Sequence, residues 1–239
     1  MKKSPIQLAL SLIAVNIIFM QFPILNIFLY PFIIISTWFH EMGHGIMALL
    51  LGGGISKIQI FPDGSGIATL SNSGSLGNLG NALIAISGPL LPPLLGYLYL
   101  TSTKNIPRTR LLLFLSSTAL FVSTLLWVRS TFGFFFLLFL SVIIFFISIS
   151  NWTKSQIVTS QFIGIQAFMS VYLSLGYLFA KSGNVNESSL ASDTEIVARN
   201  LFLPNWFWAG LIIVLTILLL FLALKSLAKT HRTTQLPQL

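Results

Sequence analysis

The stretch "STWFHEMGHGIMALLLGGG", residues 36–54, places two histidines and one glutamate inside an apolar run. His40 and His44 are four residues apart, so on a helix they share one face and can bind the same metal ion. Zinc suits imidazole ligands, and a catalytic zinc keeps one position open for water. Glu41 lies one step around the helix, where it can act as a general base on that water rather than as a ligand.

The composition places this stretch in a membrane. Hydrophobic residues make up 55% of the 239-residue chain and charged residues only 8%, whereas a soluble domain carries roughly 25% charged residues. No soluble core can bury so much apolar surface, so the bilayer is the expected solvent. The sequence therefore predicts a polytopic, multi-pass membrane protein.

Charge and cysteine content exclude several kinds of site. The chain has no cysteine, which excludes disulfides, thiolate zinc sites and cysteine nucleophiles. Its net charge of +8 comes from 13 Lys and Arg residues spread over short loops, as is typical of helix flanks beside anionic lipid. Without a clustered basic patch, no nucleic-acid partner is expected.

Apolar segments long enough to cross a bilayer predict an all-α bundle of about seven transmembrane helices, forming one membrane-embedded domain over residues 1–239. The predicted spans are residues 6–28, 30–51, 77–100, 109–128, 132–150, 157–179 and 206–227. Pro23 and Pro31 are expected to break the first two.

Two segments differ from these spans. Residues 55–71, "ISKIQIFPDGSGIATLS", alternate apolar and polar residues around a Pro-Asp-Gly turn and predict a short β-hairpin after the Gly52–Gly54 helix stop. We expect an exposed edge of this hairpin, at Ile58 and Ile60, to hold an unwound substrate by main-chain pairing; a hairpin that only plugs the bundle is the alternative. Residues 181–204 hold three of the five acids and predict a polar extramembrane loop.

The scarcity of polar residues makes the histidine stretch informative. The chain has three histidines and five acidic residues, and two histidines and one glutamate stand within five positions. A carboxylate in mid-membrane costs several kcal/mol unless it is paired or solvated, so a metal site is favoured over a structural His–Glu cluster. His231, in the basic tail, is the histidine outside this stretch, which argues against an intramembrane serine protease.

Beyond the motif, the chain resembles the site-2 protease family of intramembrane zinc metalloproteases, and more closely its peptidase M50B-like branch. "HEMGHGIMALLLGGGISKIQIFPDGSGIA" is similar to the family's histidine helix, glycine stop and hairpin. "AISGPLLPPLLGYLY" (85–99) resembles its glycine-proline helix, and "VRSTFG" (128–133) and "SDTEIVARNLFLPNWFWAGL" (192–211) resemble later segments.

The resemblance implies a Zn²⁺ cofactor, with His40 and His44 as ligands and Glu41 as the catalytic base. Typical site-2 proteases take their third ligand from a Leu-Asp-Gly sequence, which this chain lacks. Asp193 is favoured because it falls in the late segment similar to the family; its alternative role is to cap the helix that follows. The candidates together are Asp63, Glu187, Asp193, Glu195 and His231.

The expected function is therefore that of an intramembrane zinc metalloprotease, which hydrolyses peptide bonds in or near the membrane segments of protein substrates. The alternative is a non-proteolytic zinc-binding membrane protein, either a degenerate protease or a chaperone of membrane helices. The intact Glu41 favours the enzyme, because a pure binder needs no base. The expected partners are a membrane-protein substrate and the lipid bilayer; the sequence does not specify the substrate, membrane, orientation or oligomeric state.

Overall fold

The computed structural model describes residues 4–72, 76–185 and 188–235, and most of them are helical. The elements in chain order are α1 (Pro5–Gln21), α2 (Pro23–Asn26), α3 (Tyr30–Leu50), β1 (Gly54–Ile60), β2 (Gly66–Asn72), α4 (Gly77–Ser102), α5 (Ile106–Trp127), α6 (Thr131–Ile149), α7 (Thr153–Leu173), α8 (Leu175–Phe179), β3 (Ser182–Val185), β4 (Ser188–Ala191), α9 (Asp193–Asn200) and α10 (Asn205–Gln235).

Within the described ranges, four helices are long and apolar enough to cross a membrane: α4, α5, α6 and the Asn205–Lys229 part of α10. The predicted helical membrane bundle is thus confirmed in outline, but the count of seven spans stays a prediction. The helices α3 and α7 fall short because polar side chains along them lower their hydropathy, and α1 is only 17 residues long.

The first predicted span, residues 6–28, is not one continuous helix. The helix α1 ends at Gln21, and Phe22 takes an extended conformation with φ −119° and ψ 113° before α2 begins at Pro23. Proline has no N–H, and its ring disfavours a helical residue in front of it. The break expected at Pro23 is therefore confirmed.

The predicted β-hairpin is confirmed as β1 and β2, two antiparallel strands with Ile58 opposite Ala68. At its turn, Asp63 Oδ1 accepts hydrogen bonds from the backbone N–H of Ser65 at 2.9 Å and from its hydroxyl at 2.7 Å. The hairpin packs against α3. At its turn, the Pro62 carbonyl accepts a hydrogen bond from the hydroxyl of Tyr30, the first residue of α3, at 2.6 Å. The hairpin thus stands beside the helix that carries the histidines.

The expectation that Ile58 and Ile60 form an exposed edge of the hairpin is wrong, because neighbouring residues cover the edge of β1. The backbone N–H of Arg129, between α5 and α6, donates to the Ile58 carbonyl at 2.9 Å. The backbone N–H of Ile60 donates to Ser130 Oγ at 2.9 Å. Both isoleucines are fully buried, so β1 cannot receive another strand. Among the described residues, β2 has no second strand on its outer side.

The segment predicted as a polar loop, 181–204, contains the strands β3 and β4 and the short helix α9. The helix α9 packs against α4 and α10, with Val197 buried against Ala82 and Ala85 of α4. This packing places α9 directly against the helices of the bundle.

Candidate active site

One face of α3 lines a cavity of about 670 Å³. The residues that α3 contributes follow helical spacing of three or four positions, so they form a single stripe along the helix. They are Ile33, Ser36, Thr37, His40, Glu41 and His44. The predicted motif therefore opens into a space large enough to admit a polypeptide segment.

His44 is held in a fixed orientation by α4. Its Nδ1 lies 2.8 Å from the Ile84 carbonyl oxygen; because a carbonyl can only accept, Nδ1 carries the proton and Nε2 presents its lone pair. An added Cβ at Gly88 would overlap the His44 imidazole, so only glycine lets α4 approach this closely. His44 Nε2 lies 3.2 Å from His40 Nε2.

Asp193 joins the two histidines from α9. Its Oδ2 lies 3.1 Å from His40 Nε2, and its Oδ1 lies 3.4 Å from His44 Nε2. Within the described residues, these three side chains form the group of His and acidic residues placed to hold a metal ion. No hydrogen bond satisfies the buried Asp193 Oδ2, and a bound cation would supply the missing partner.

The other acids proposed as third ligands lie elsewhere. Asp63 accepts hydrogen bonds from Ser65 at the hairpin turn, and Glu195 pairs with Arg199 at 2.9 Å. Glu187 lies outside the described residues, as does the side chain of His231, whose backbone belongs to α10.

A cluster of hydrogen bonds fixes Asp193 in place. The neighbouring Ser192 is the N-cap of α9, because its hydroxyl accepts a hydrogen bond from the Glu195 N–H at 3.3 Å. The alternative that Asp193 caps the helix is therefore wrong. The Asp193 N–H donates to the Tyr177 hydroxyl at 3.2 Å, and Thr194 Oγ1 donates to the Leu178 carbonyl at 2.5 Å. Together these bonds fasten the start of α9 to α8.

The surroundings of Asp193 favour its ionised form. Burial by itself raises the pKa of this carboxyl, but the His44 and His40 imidazoles and the Tyr177 hydroxyl lower it by more, so the pKa of Asp193 lies below its ordinary value. A carboxyl group must be deprotonated to bind a metal ion. Asp193 is accordingly in its ligand form at neutral pH.

Glu41 lies between α3 and the second strand of the hairpin. Its side chain is buried, with 5% of its surface exposed, and the backbone N–H of Ala68 hydrogen-bonds to its carboxyl group. At Gly66, a Cβ would come within 2.8 Å of Glu41 Cγ and Oε1. The outer edge of β2, which carries no further strand among the described residues, and the glutamate are therefore packed side by side, and both line the cavity.

Several polar residues of the cavity were not predicted from the sequence. Ser36, Gln166 and Tyr177 all line it. Ser36 could have been predicted from the sequence, because it precedes His40 by one helical turn and therefore lies on the same face of the helix. Gln166 and Tyr177 stand alone in apolar stretches, and no spacing in the sequence connects them with the histidines.

Comparison with known proteins gives one match. The sequence model of the family described as "Peptidase M50B-like" matches residues 9–223. Searches of the curated proteins and of the solved structures found no match.

Proposed function

Because the chain belongs to the peptidase M50B-like family, a family of membrane metallopeptidases, we propose that it is an intramembrane zinc metalloprotease that hydrolyses peptide bonds in or near membrane segments. The family and the four apolar helices identify it as an integral multi-pass membrane protein. One observation carries the proposal: His40, His44 and Asp193 converge in a cavity that Glu41 also lines.

The three side chains fit a zinc ion. Two imidazole nitrogens and one carboxylate form the donor set, which leaves one tetrahedral position open. Zinc bonds of about 2.0–2.1 Å place neighbouring tetrahedral ligand atoms about 3.3 Å apart. The distances here are 3.2 Å between the two imidazole nitrogens, 3.1 Å from His40 to Asp193 Oδ2 and 3.4 Å from His44 to Asp193 Oδ1. With one ligand atom from each residue, the three atoms lie within 4.8 Å of one another. When bound, zinc would supply a Lewis acid for activating water and polarising the peptide carbonyl.

The roles of the residues follow from their positions. His40, His44 and Asp193 hold the ion. Glu41 takes a proton from the attacking water and returns it to the leaving amine as the peptide bond breaks. The Ala68 N–H and the close packing of Gly66 keep the Glu41 carboxyl beside the cavity while the proton moves.

The outer edge of β2 is proposed to hold the substrate. Peptide groups within a membrane helix already bond to each other, so a segment must unwind before it can be cleaved. An unwound segment then has free N–H and C=O groups that pair with an unoccupied strand edge. The outer edge of β2 carries no further strand among the described residues and lies next to Glu41, which binds its Ala68 N–H, whereas the edge of β1 is occupied by the chain around Arg129.

Cross-linking tests this role of β2. The chain has no native cysteine, so Ile67→Cys on β2 and Ser56→Cys on β1 each introduce a single thiol. A substrate segment with one cysteine should form a disulfide with the first variant and not with the second. Equal cross-linking of both would show that β2 is not the binding edge.

Assays of metal content and proteolysis test the proposed function together. The wild type should hold about one zinc per chain and cleave a membrane-spanning substrate, and Glu41→Gln should keep the zinc and lose the cleavage. A wild-type protein that holds zinc but cleaves no membrane substrate would favour the non-proteolytic alternative. A protein that holds no zinc after loading would contradict both.

A further inference from the structure

Gln166, in the middle of α7, is a fully buried amide without a hydrogen-bond partner at either end. Its exposed surface is 0%, and neither Nε2 nor Oε1 forms a hydrogen bond. Ser170 and Ser174 follow on the same helix face and donate their hydroxyls to backbone carbonyls of α7. Gln166 therefore keeps a free donor and a free acceptor where leaving them unpaired is costly.

Gln166 is one of the residues that line the cavity of the proposed zinc site. Ser36, one helical turn before His40, lines the same cavity, and its buried hydroxyl also lacks a partner. The two residues come from α7 and α3, which pack against each other. Besides Asp193, two residues that line this cavity, Gln166 and Ser36, thus have buried polar atoms that no residue of the described chain satisfies.

We propose that Gln166, assisted by Ser36, binds one backbone peptide group of the unwound substrate segment beside the cleaved bond. A primary amide complements a peptide group, because its NH₂ donates to the C=O and its oxygen accepts from the N–H. A helical segment offers no free group of this kind at its centre. Gln166 therefore selects an extended main chain over a helical one, independently of side-chain sequence. This inference rests on the proposed function.

The test measures peptide binding rather than cleavage. The protein is the zinc-loaded Glu41→Gln chain in detergent, and the probe is a fluorescein-labelled Leu/Ala peptide of about 20 residues with a central Gly-Pro break. The same peptide without the break serves as the helical control. Asn16→Leu is the matched control variant, because Asn16 is equally buried, has both amide ends unpartnered and does not line the cavity.

We expect Gln166→Leu to weaken binding of the broken peptide about tenfold, as the loss of two hydrogen bonds implies, and Asn16→Leu to leave it unchanged. Gln166→Met, which is closer in length, should repeat the result if the leucine variant folds poorly. Unchanged binding in both Gln166 variants, or equal losses in the Asn16 control, would overturn the proposal. Failure of the zinc-loaded parent to bind the broken peptide would overturn it too. Zinc content is measured in each sample, because a variant that has lost its zinc would report a failure of the proposed metal site and not of peptide binding by Gln166.

Discussion

Oδ2 of Asp193 lies 3.1 Å from Nε2 of His40, although α9 and α3 are far apart in the sequence. The contact exists because Ser192, Thr194 and Tyr177 hold the start of α9 in place. The third candidate ligand thus comes from a short helix packed onto the bundle, and none of the four long apolar helices carries it. The proposed metal site is complete only when this helix is docked.

Glu41→Gln should abolish proteolysis while zinc stays bound. The amide keeps the size of the side chain but cannot take a proton from water, and general acid–base catalysis contributes about 10²- to 10⁴-fold. We expect cleavage to fall by at least about 100-fold with unchanged zinc content by mass spectrometry. Retention of most of the activity would show that another group is the base.

Gly66→Ala should lower activity through displacement of Glu41. The new Cβ would lie within 2.8 Å of Glu41 Cγ and Oε1, and a catalytic group displaced by about 1 Å can lose about 100-fold in rate. We expect a loss of that size with zinc content unchanged. Gly210→Ala is the control, because a Cβ there meets no atom within 4 Å. Normal activity of Gly66→Ala would show that the close packing of Gly66 against Glu41 is not needed to position the glutamate.

Tyr177→Phe should weaken zinc binding without removing a ligand. The variant loses the hydroxyl that accepts a hydrogen bond from the Asp193 N–H, and loss of such supporting partners typically costs about 10- to 100-fold in metal affinity. Competition with a chelator should reveal the shift. Tyr172→Phe, at a site 60% exposed, should behave as wild type. Equal zinc affinities in the two variants would contradict the positioning role.

The sequence predicted the parts of the site that depend on local spacing. Because His40 and His44 stand four residues apart on one helix, any helix would bring them together. Alternation and the Pro-Asp-Gly turn predicted the β-hairpin for the same reason. Asp193 was favoured on family resemblance alone, since its approach to the histidines depends on how α9 packs.

The remaining features depend on tertiary contacts. Hydropathy alone could not show that the backbone around Arg129 covers the edge of β1, so the expectation of an exposed edge at Ile58 and Ile60 is wrong. Gln166 belongs to no motif, and only its unpaired burial in the cavity distinguishes it from other glutamines.

The central claim is tested most directly by the zinc content of the purified chain, measured by mass spectrometry for the wild type, His44→Ala, Asp193→Asn and Asp63→Asn. We predict about one zinc per wild-type chain, loss of most of it in the His44 and Asp193 variants, and full retention in the Asp63 variant. Zinc retained by Asp193→Asn but lost from Asp63→Asn would move the third ligand to the hairpin. A zinc-free wild type would contradict the metalloprotease account.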